Sequence, residues 1–200
     1  MVRQLERFGI RDRRVLDAMA RVPRDEFVGA PDRDAAYGDH ALAIGEGQTI
    51  SQPYVVARMT ELLATDPYHR VLEVGTGSGY QAAVLGELVR ELISIERHAS
   101  LADAARERLG RLGYANVRVI HADASLGYPP EAPYDRILIT AATPAIDPAL
   151  LQQLTADGRI VAPIGDLDLQ ELVVRDARGR VEHHGPVRFV PLRGEGGFRG

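Results

Sequence analysis

Two hundred residues with 45% hydrophobic content and a formal net charge of -4 suit one α/β domain with its own core, and offer no general basic surface for nucleic acid. The sequence has no Cys and all 24 basic residues are Arg, which excludes disulfides, thiolate nucleophiles, cysteine-held zinc, Schiff-base chemistry and a P-loop lysine. No apolar run reaches membrane-spanning length and no basic-then-apolar leader opens the chain, so a soluble, cytoplasmic protein without membrane contact is expected.

In chain order, residues 1 to 28 are polar and Arg-rich. Ile10, Val15, Leu16 and Met19 stand at near-helical spacing there, so the stretch reads as a helix packed on the main body, ending at Val22-Pro23-Arg24. A loop-like segment, 29 to 47, follows. It runs into Gly45-Glu46-Gly47-Gln48-Thr49-Ile50-Ser51-Gln52-Pro53-Tyr54, where two readings of Ser51 stand side by side. Pro53 in a first turn, with Val55, Val56, Met59, Leu62 and Leu63 at helical spacing, makes Ser51 a natural helix cap. Two glycines ahead of polar Gln48 and Thr49 are costly for a plain connection, however, and point to backbone and hydroxyl groups set against a ligand.

The chain is organised around Val71-Leu72-Glu73-Val74-Gly75-Thr76-Gly77-Ser78-Gly79-Tyr80, which reads as a strand, a tight turn and a helix N-terminus. The glycines let backbone approach a ligand closely, and the exposed amides of the new helix favour hydrogen-bond acceptors, so a nucleotide-like ligand is expected. A dinucleotide fingerprint would need glycine where Tyr80 stands, while Glu73 suits a ligand carrying positive charge. This Glu-x-Gly-x-Gly-x-Gly arrangement resembles motif I of the S-adenosylmethionine-dependent methyltransferases, whose cofactor bears an ammonium and a sulfonium.

Strand and helix patterns then alternate: a strand over 92 to 96, a helix over 100 to 112, a strand over 117 to 121, another over 136 to 140 and a helix over 148 to 154. Three more strands are expected over 158 to 164, 171 to 175 and 187 to 192. The last two are linked by Ala177-Arg178-Gly179-Arg180 and so lie antiparallel near an edge. A Gly/Arg-rich tail from Arg193 is expected to be mobile. Ligands of such sheets bind outside the carboxyl ends of the strands. Glu96 ends the second strand, where both ribose hydroxyls are held, and Asp123 ends the third, where it suits an adenine amine; the alternative for each is a solvated loop carboxylate. The six His include only one adjacent pair, His183-His184, and none has a partner at metal spacing, so no metal is expected.

Over almost its whole length the chain resembles the protein-L-isoaspartate (D-aspartate) O-methyltransferases. The likeness lies in Val22-Pro23-Arg24, Phe27-Val28, Ala36-Tyr37, Asp39, Gly45, Gly47-Gln48-Thr49-Ile50-Ser51-Gln52-Pro53, Leu72 through Ala83, Arg111-Leu112-Gly113-Tyr114, Pro133-Tyr134-Asp135 and Arg188-Phe189-Val190-Pro191-Leu192. The Gln-Thr-Ile-Ser-Gln-Pro block is far more specific than motif I. The resemblance implies a Rossmann-like methyltransferase fold, with a doubly wound, mostly parallel seven-stranded sheet, an antiparallel edge strand and N-terminal helices. It implies a substrate-binding segment over residues 1 to 65, a cofactor-binding core over 66 to 192 and a tail over 193 to 200.

By the same resemblance S-adenosylmethionine is the cofactor and S-adenosylhomocysteine the product. Thr49, Ile50 and Ser51 lie beside cofactor and substrate, with Ser51 the active-site serine. Glu73, Gly75, Gly77, Ser78 and Gly79 surround the methionine part, Glu96 the ribose with Arg97 beside it, and Asp123 the adenine. The implied activity is methylation of the free α-carboxylate of isoaspartyl residues in aged proteins and peptides, as the first step of repair; the sequence does not give the oligomeric state, and a monomer is expected. The rival readings are a carboxylate methyltransferase with a dedicated peptide substrate and a non-catalytic cofactor-binding protein. Three departures from the family pattern stand out: Ala122 and Ala124 flank Asp123 where glycines are usual, the tail Arg193-Gly194-Glu195-Gly196-Gly197 is short and carries no assigned site residue, and Gly165-Asp166-Leu167-Asp168-Leu169-Gln170 is unusually acidic. Asp157-Gly158 makes the protein itself a candidate for isoaspartate formation unless that turn is buried or rigid.

Overall fold

In the computed structural model, which describes residues 1–199, the N-terminal stretch folds as two helices rather than one, α1 (Val2–Arg7) and α2 (Arg13–Arg21). Gly9 breaks the pattern at φ 98°, and the Asp12 carboxylate then caps α2 by accepting from the Arg14 amide at 2.8 Å. α2 buries Val15, Leu16, Ala18 and Met19. A 3-10 turn, Arg24–Phe27, follows with the Arg24 side chain wholly buried. Its Nε donates to the Ala36 carbonyl at 2.7 Å and its guanidinium lies 4.7 Å from the centre of the Tyr80 ring.

The segment expected to be a loop, 29 to 47, ends in the first strand and turn of a β-hairpin, β1 (Leu42–Gly45) and β2 (Gln48–Ile50). Its turn residues Gly45, Glu46 and Gly47 take φ of 97°, 51° and 68°, the left-handed conformations that tight hairpin turns favour. Next comes α3 (Pro53–Leu63), with Pro53 at its start, where the missing N–H costs nothing.

The central sheet is formed by β3 (Arg70–Val74), β4 (Glu91–Glu96), β5 (Val117–His121), β6 (Tyr134–Ile139), β7 (Leu154–Gly165), β8 (Gln170–Asp176) and β9 (Val181–Val187). Its order is β5-β4-β3-β6-β7-β8-β9. The strands from β5 to β7 are parallel, and β8 pairs antiparallel with both β7 and the edge strand β9. Helices α4 (Tyr80–Gly86), α5 (Ala99–Arg111) and α6 (Pro148–Leu151) connect them.

Both faces of the parallel strands are buried, which is why their sequences run apolar without clean alternation. Val71, Leu92, Val119, Leu138 and Val161 face the layer built by α2 to α5. Leu72, Val74, Ile93, Ile95, Ile137, Ile139 and Ile160 pack on the other side with Tyr134, Ile146 and Leu150. The order reverses at β3, which has β4 on one side and β6 on the other, so a crevice opens at its carboxyl end.

Two expectations shift near the C-terminus. The helix over 148 to 154 shrinks to Pro148–Leu151, and β7 starts at Leu154 and carries Asp157-Gly158 within it. The Gly158 carbonyl accepts from the Ala177 amide at 2.9 Å and the Asp157 carbonyl from Arg136 Nη1 at 3.2 Å. The last strand is Val181–Val187, not 187 to 192. Its half-exposed polar residues and Pro186 disguise it, and such residues are tolerated at a sheet edge. Residues 188 to 192 instead cross the carboxyl ends of the strands. There the Val190 carbonyl accepts from the Ala142 amide at 2.8 Å and the Leu192 amide donates to the Ala142 carbonyl at 2.7 Å. No helix among the described residues is long and apolar enough to cross a membrane.

Candidate active site

The crevice is a cavity lined by the hairpin, the turn after β3 and the ends of the parallel strands, the concave setting in which cofactors bind. Its floor is the turn between β3 and α4. Gly75 takes φ 100°, and a Cβ there would collide with the Thr140 hydroxyl, which donates to the Val74 carbonyl at 2.9 Å. Gly77, at φ 54°, lies under Ile44 of the hairpin. Gly79 closes the turn at φ 88°. It lies outside the cavity, and a Cβ on it would reach to 3.4 Å from Ala105 and Leu109, so it lets α4 and α5 approach. Tyr80, which displaces the dinucleotide glycine, is a core residue, packed edge-on against Phe27 at 5.5 Å.

Glu73 also lies outside the cavity lining, wholly buried beneath the floor. One of its oxygens accepts from the Ser94 hydroxyl, whose oxygen is 2.6 Å from Thr76 Oγ1, and Oε1 has no partner. Burial pushes its carboxyl up to about 8, with the Ser94 hydrogen bond opposing and nearby Glu96 adding to the rise.

Glu96, nearly buried at the end of β4, accepts the Gly77 amide on Oε2 and the His98 amide on Oε1, both at 2.9 Å. Each oxygen keeps a lone pair for a ligand hydroxyl. Exposed Arg97 lines the wall beside it. Asp123 accepts the Ser125 amide at 2.8 Å and the Glu195 amide at 3.2 Å. Burial works against its charge, yet these amides, the Ser125 hydroxyl and the Arg97 charge together hold its carboxyl below the usual range.

Thr49, Ile50 and Ser51 close the cavity from the hairpin side. Ser51 is not the helix cap. Gln52 occupies that position without a side-chain bond, and the Asp39 carboxylate accepts from the Tyr54 amide at 2.9 Å. Among the described residues the Ser51 hydroxyl has no hydrogen-bond partner. The structure thus brings Thr49, Ile50, Ser51, Gly75, Gly77, Ser78, Glu96, Arg97 and Asp123 to one cavity, and leaves Glu73 and Gly79 behind its wall.

Several lining residues escaped the sequence reading. Thr140 directly follows β6, a strand-end position like those of the carboxylates, whereas Phe189 to Leu192 were hidden by their assignment to a strand and Arg193 by its assignment to the tail. The tail is folded back, not loose: the Gly196 amide donates to Ser125 Oγ at 3.0 Å and the Phe198 amide to the Leu192 carbonyl at 2.8 Å. Gly200 lies outside the described residues.

A doubly wound sheet with a glycine turn at its switch point, and carboxylates at the ends of the next two strands, defines a methyltransferase of the α/β class. The chain belongs to the protein-L-isoaspartate(D-aspartate) O-methyltransferase family, whose model matches residues 1–197. It is 53% identical over 198 residues to the protein-L-isoaspartate O-methyltransferase of Koribacter versatilis, covering 98% of this chain and 89% of the relative. It is 52% identical over 200 residues to that of Methanoculleus marisnigri, covering 98% and 91%. Among solved structures it is similar to a protein-L-isoaspartate O-methyltransferase with a TM-score of 0.86 and 27% identity, covering 98% of this chain and 65% of that longer one. The fold is shared as well with a Plasmodium falciparum protein solved with S-adenosyl-L-homocysteine, at a TM-score of 0.82, 24% identity and 96% coverage of each chain.

Proposed function

We propose that this protein transfers the methyl group of S-adenosylmethionine to the free α-carboxylate of L-isoaspartyl residues in aged proteins and peptides, which opens repair through a succinimide. The observation that carries this reading is Ser51: its hydroxyl stands uncommitted on the cavity wall within the Gln-Thr-Ile-Ser-Gln-Pro block, its capping duty taken by Asp39.

The residues present fit the cofactor. Gly75 brings bare backbone to the cavity at φ 100°, Glu96 keeps lone pairs free for paired hydroxyls, and Glu73 holds an orphaned oxygen beneath the floor. Gly75, Gly77 and Ser78 would hold the methionine part, Glu96 the ribose with Arg97 beside it, Asp123 the adenine amine, and Thr49 and Ile50 the hairpin-side wall. Glu73 would act from below and Gly79 by packing. When bound, the cofactor supplies a sulfonium-activated methyl group.

The acceptor carboxylate has an ordinary pKa near ~4 and is ionised at neutral pH, so the protein needs no general base. Its task is alignment, which can contribute on the order of 7 to 11 kcal/mol in well-oriented systems. Ser51 donates a hydrogen bond to one carboxylate oxygen and leaves the other facing the methyl position. Residues 1 to 65 form the substrate side and 66 to 192 the cofactor core. The same proposal takes the protein to act as a monomer in the cytoplasm.

The test is methyl transfer from radiolabelled S-adenosylmethionine to a short isoaspartyl peptide beside its aspartyl twin. Label on the isoaspartyl peptide alone is expected; label on both, or on neither, overturns the reading.

A further inference from the structure

The hairpin β1–β2 belongs to no larger sheet, yet it supplies Gln48, Thr49 and Ile50 to the cavity wall and leads directly into Ser51. Its placement therefore decides where the Ser51 hydroxyl points. Along its length Ile44 rests over Gly77, and a Cβ on Gly77 would lie 3.4 Å from Ile44 Cδ1.

At the tip stands Glu46, held at φ 51° between two glycines that are themselves left-handed. Glycine would occupy that conformation with less strain, so a glutamate kept there calls for a reason in its side chain. Glu46 Oε1 accepts from the Ser100 hydroxyl at 2.7 Å, in the first turn of α5, and Oε2 lies 3.8 Å from His98 Nδ1. The bond to Ser100 is charge-assisted, and the carboxylate sits at the favourable end of a 13-residue helix. His98 also donates its amide to Glu96, whose other oxygen accepts from Gly77. The hairpin tip is thus tied to the same short segment that holds the strand-end carboxylate and the glycine turn.

We propose that Glu46 is a positioning residue: bound to Ser100 and facing His98, it latches the hairpin over the cavity and so fixes Ser51 against the methyl donor and slows cofactor release. This rests on the function proposed above. The latch acts on the closed cavity as a whole, so it governs both the rate of product cofactor departure and the alignment of the acceptor, while leaving the carboxylates that bind the nucleoside intact.

The experiment compares the full chain with Glu46→Ala, Glu46→Gln, Ser100→Ala and the Glu46→Ala/Ser100→Ala double variant. It reads S-adenosylhomocysteine dissociation by stopped flow and isoaspartyl peptide methylation at saturating cofactor. Loss of one charge-assisted hydrogen bond predicts about tenfold faster dissociation and about tenfold lower kcat for Glu46→Ala and for Ser100→Ala, with no further loss in the double variant. Glu46→Gln keeps an acceptor for Ser100 and should stay within about threefold of the parent. A Glu46→Gly variant relieves the turn strain, so it folds at least as well as the parent; it should still show the fast dissociation, which separates latch loss from misfolding. Unchanged dissociation and turnover in Glu46→Ala and Glu46→Gly, or additive losses in the double variant, overturn the proposal. Dissociation needs no peptide, so it tests the latch even if the parent fails to methylate isoaspartate, an outcome that would count against the function alone.

Discussion

The carboxylate of Asp39 caps α3 by accepting the backbone N–H of Tyr54 at 2.9 Å, from 15 residues earlier in the chain. A helix start that looks self-sufficient in sequence is completed from outside, and Ser51 is released for other work. Asp39→Ala should therefore cost about 1 kcal/mol of stability, as loss of a cap usually does. Ser51→Ala should leave unfolding by denaturant unchanged while lowering kcat on isoaspartyl peptide about tenfold to a hundredfold, with cofactor affinity retained. Parallel urea titrations and methyl-transfer assays check both halves; a destabilised Ser51→Ala would return that residue to a capping role.

Glu73 predicts a pH dependence of stability. Its carboxyl is raised by burial from the usual 4.5 to about 8 in the folded protein, so the folded state holds a proton that the unfolded state has released. The stability from this group is fully present below the unfolded value and is lost as pH rises through about 8. Glu73→Gln, which cannot ionise, should flatten the decline across that window when unfolding free energies of the cofactor-free protein are measured at a series of pH values. An unaltered slope would mean that Glu73 is charged in the fold.

Gly75→Ala should cost about 1 to 3 kcal/mol, because the new methyl meets the Thr140 hydroxyl and the backbone must keep φ 100°. Adding Thr140→Ala removes the collision but not the strained dihedral. The pair should therefore recover only part of the loss, so the double variant should cost less than the sum of the two single variants. Strict additivity would show that the hydroxyl does not press on the turn.

The folded-back tail makes a further comparison possible. A Cβ on Gly194 would strike both Asp123 and Ser125, whereas Gly179, also at positive φ of 90°, has open space around it. Gly194→Ala should displace the tail from Asp123 and weaken S-adenosylmethionine binding about fivefold, the worth of roughly one hydrogen bond. Gly179→Ala should cost some stability and leave affinity alone. Isothermal titration of both variants distinguishes them, and equal affinities would remove the tail from the site.

Much of this was readable in the sequence because it depends on local chemistry. The glycine turn after Val74, the carboxylates near the ends of β4 and β5, and the alternation of strands and helices follow from residue type and period alone. What escaped depends on partners distant in sequence. Glu73 reads as a ligand-facing acid until Ser94, on the neighbouring strand, draws it below the floor. Gly79 reads as part of a cofactor cradle until Ala105 and Leu109 of α5 fill the space beside it. Val181–Val187 lacks an apolar face because an edge strand needs none, so its true start lay hidden among histidines, of which His183 pairs with Glu171 at 2.8 Å.

The placement of Asp157-Gly158 gives this catalyst an unusual relation to its own substrate. Isoaspartate forms when the glycine nitrogen swings onto the preceding side-chain carbonyl, a motion that needs a loose backbone. Here the dipeptide lies inside β7, with the Asp157 carbonyl bound by Arg136, the Gly158 carbonyl by Ala177 and the Asp157 carboxylate by Arg178 at 2.5 Å. The pair's backbone is tied at both carbonyls while its carboxylate stands exposed beside Arg178. On storage, lesions here should therefore form more slowly in the folded protein than in the unfolded chain.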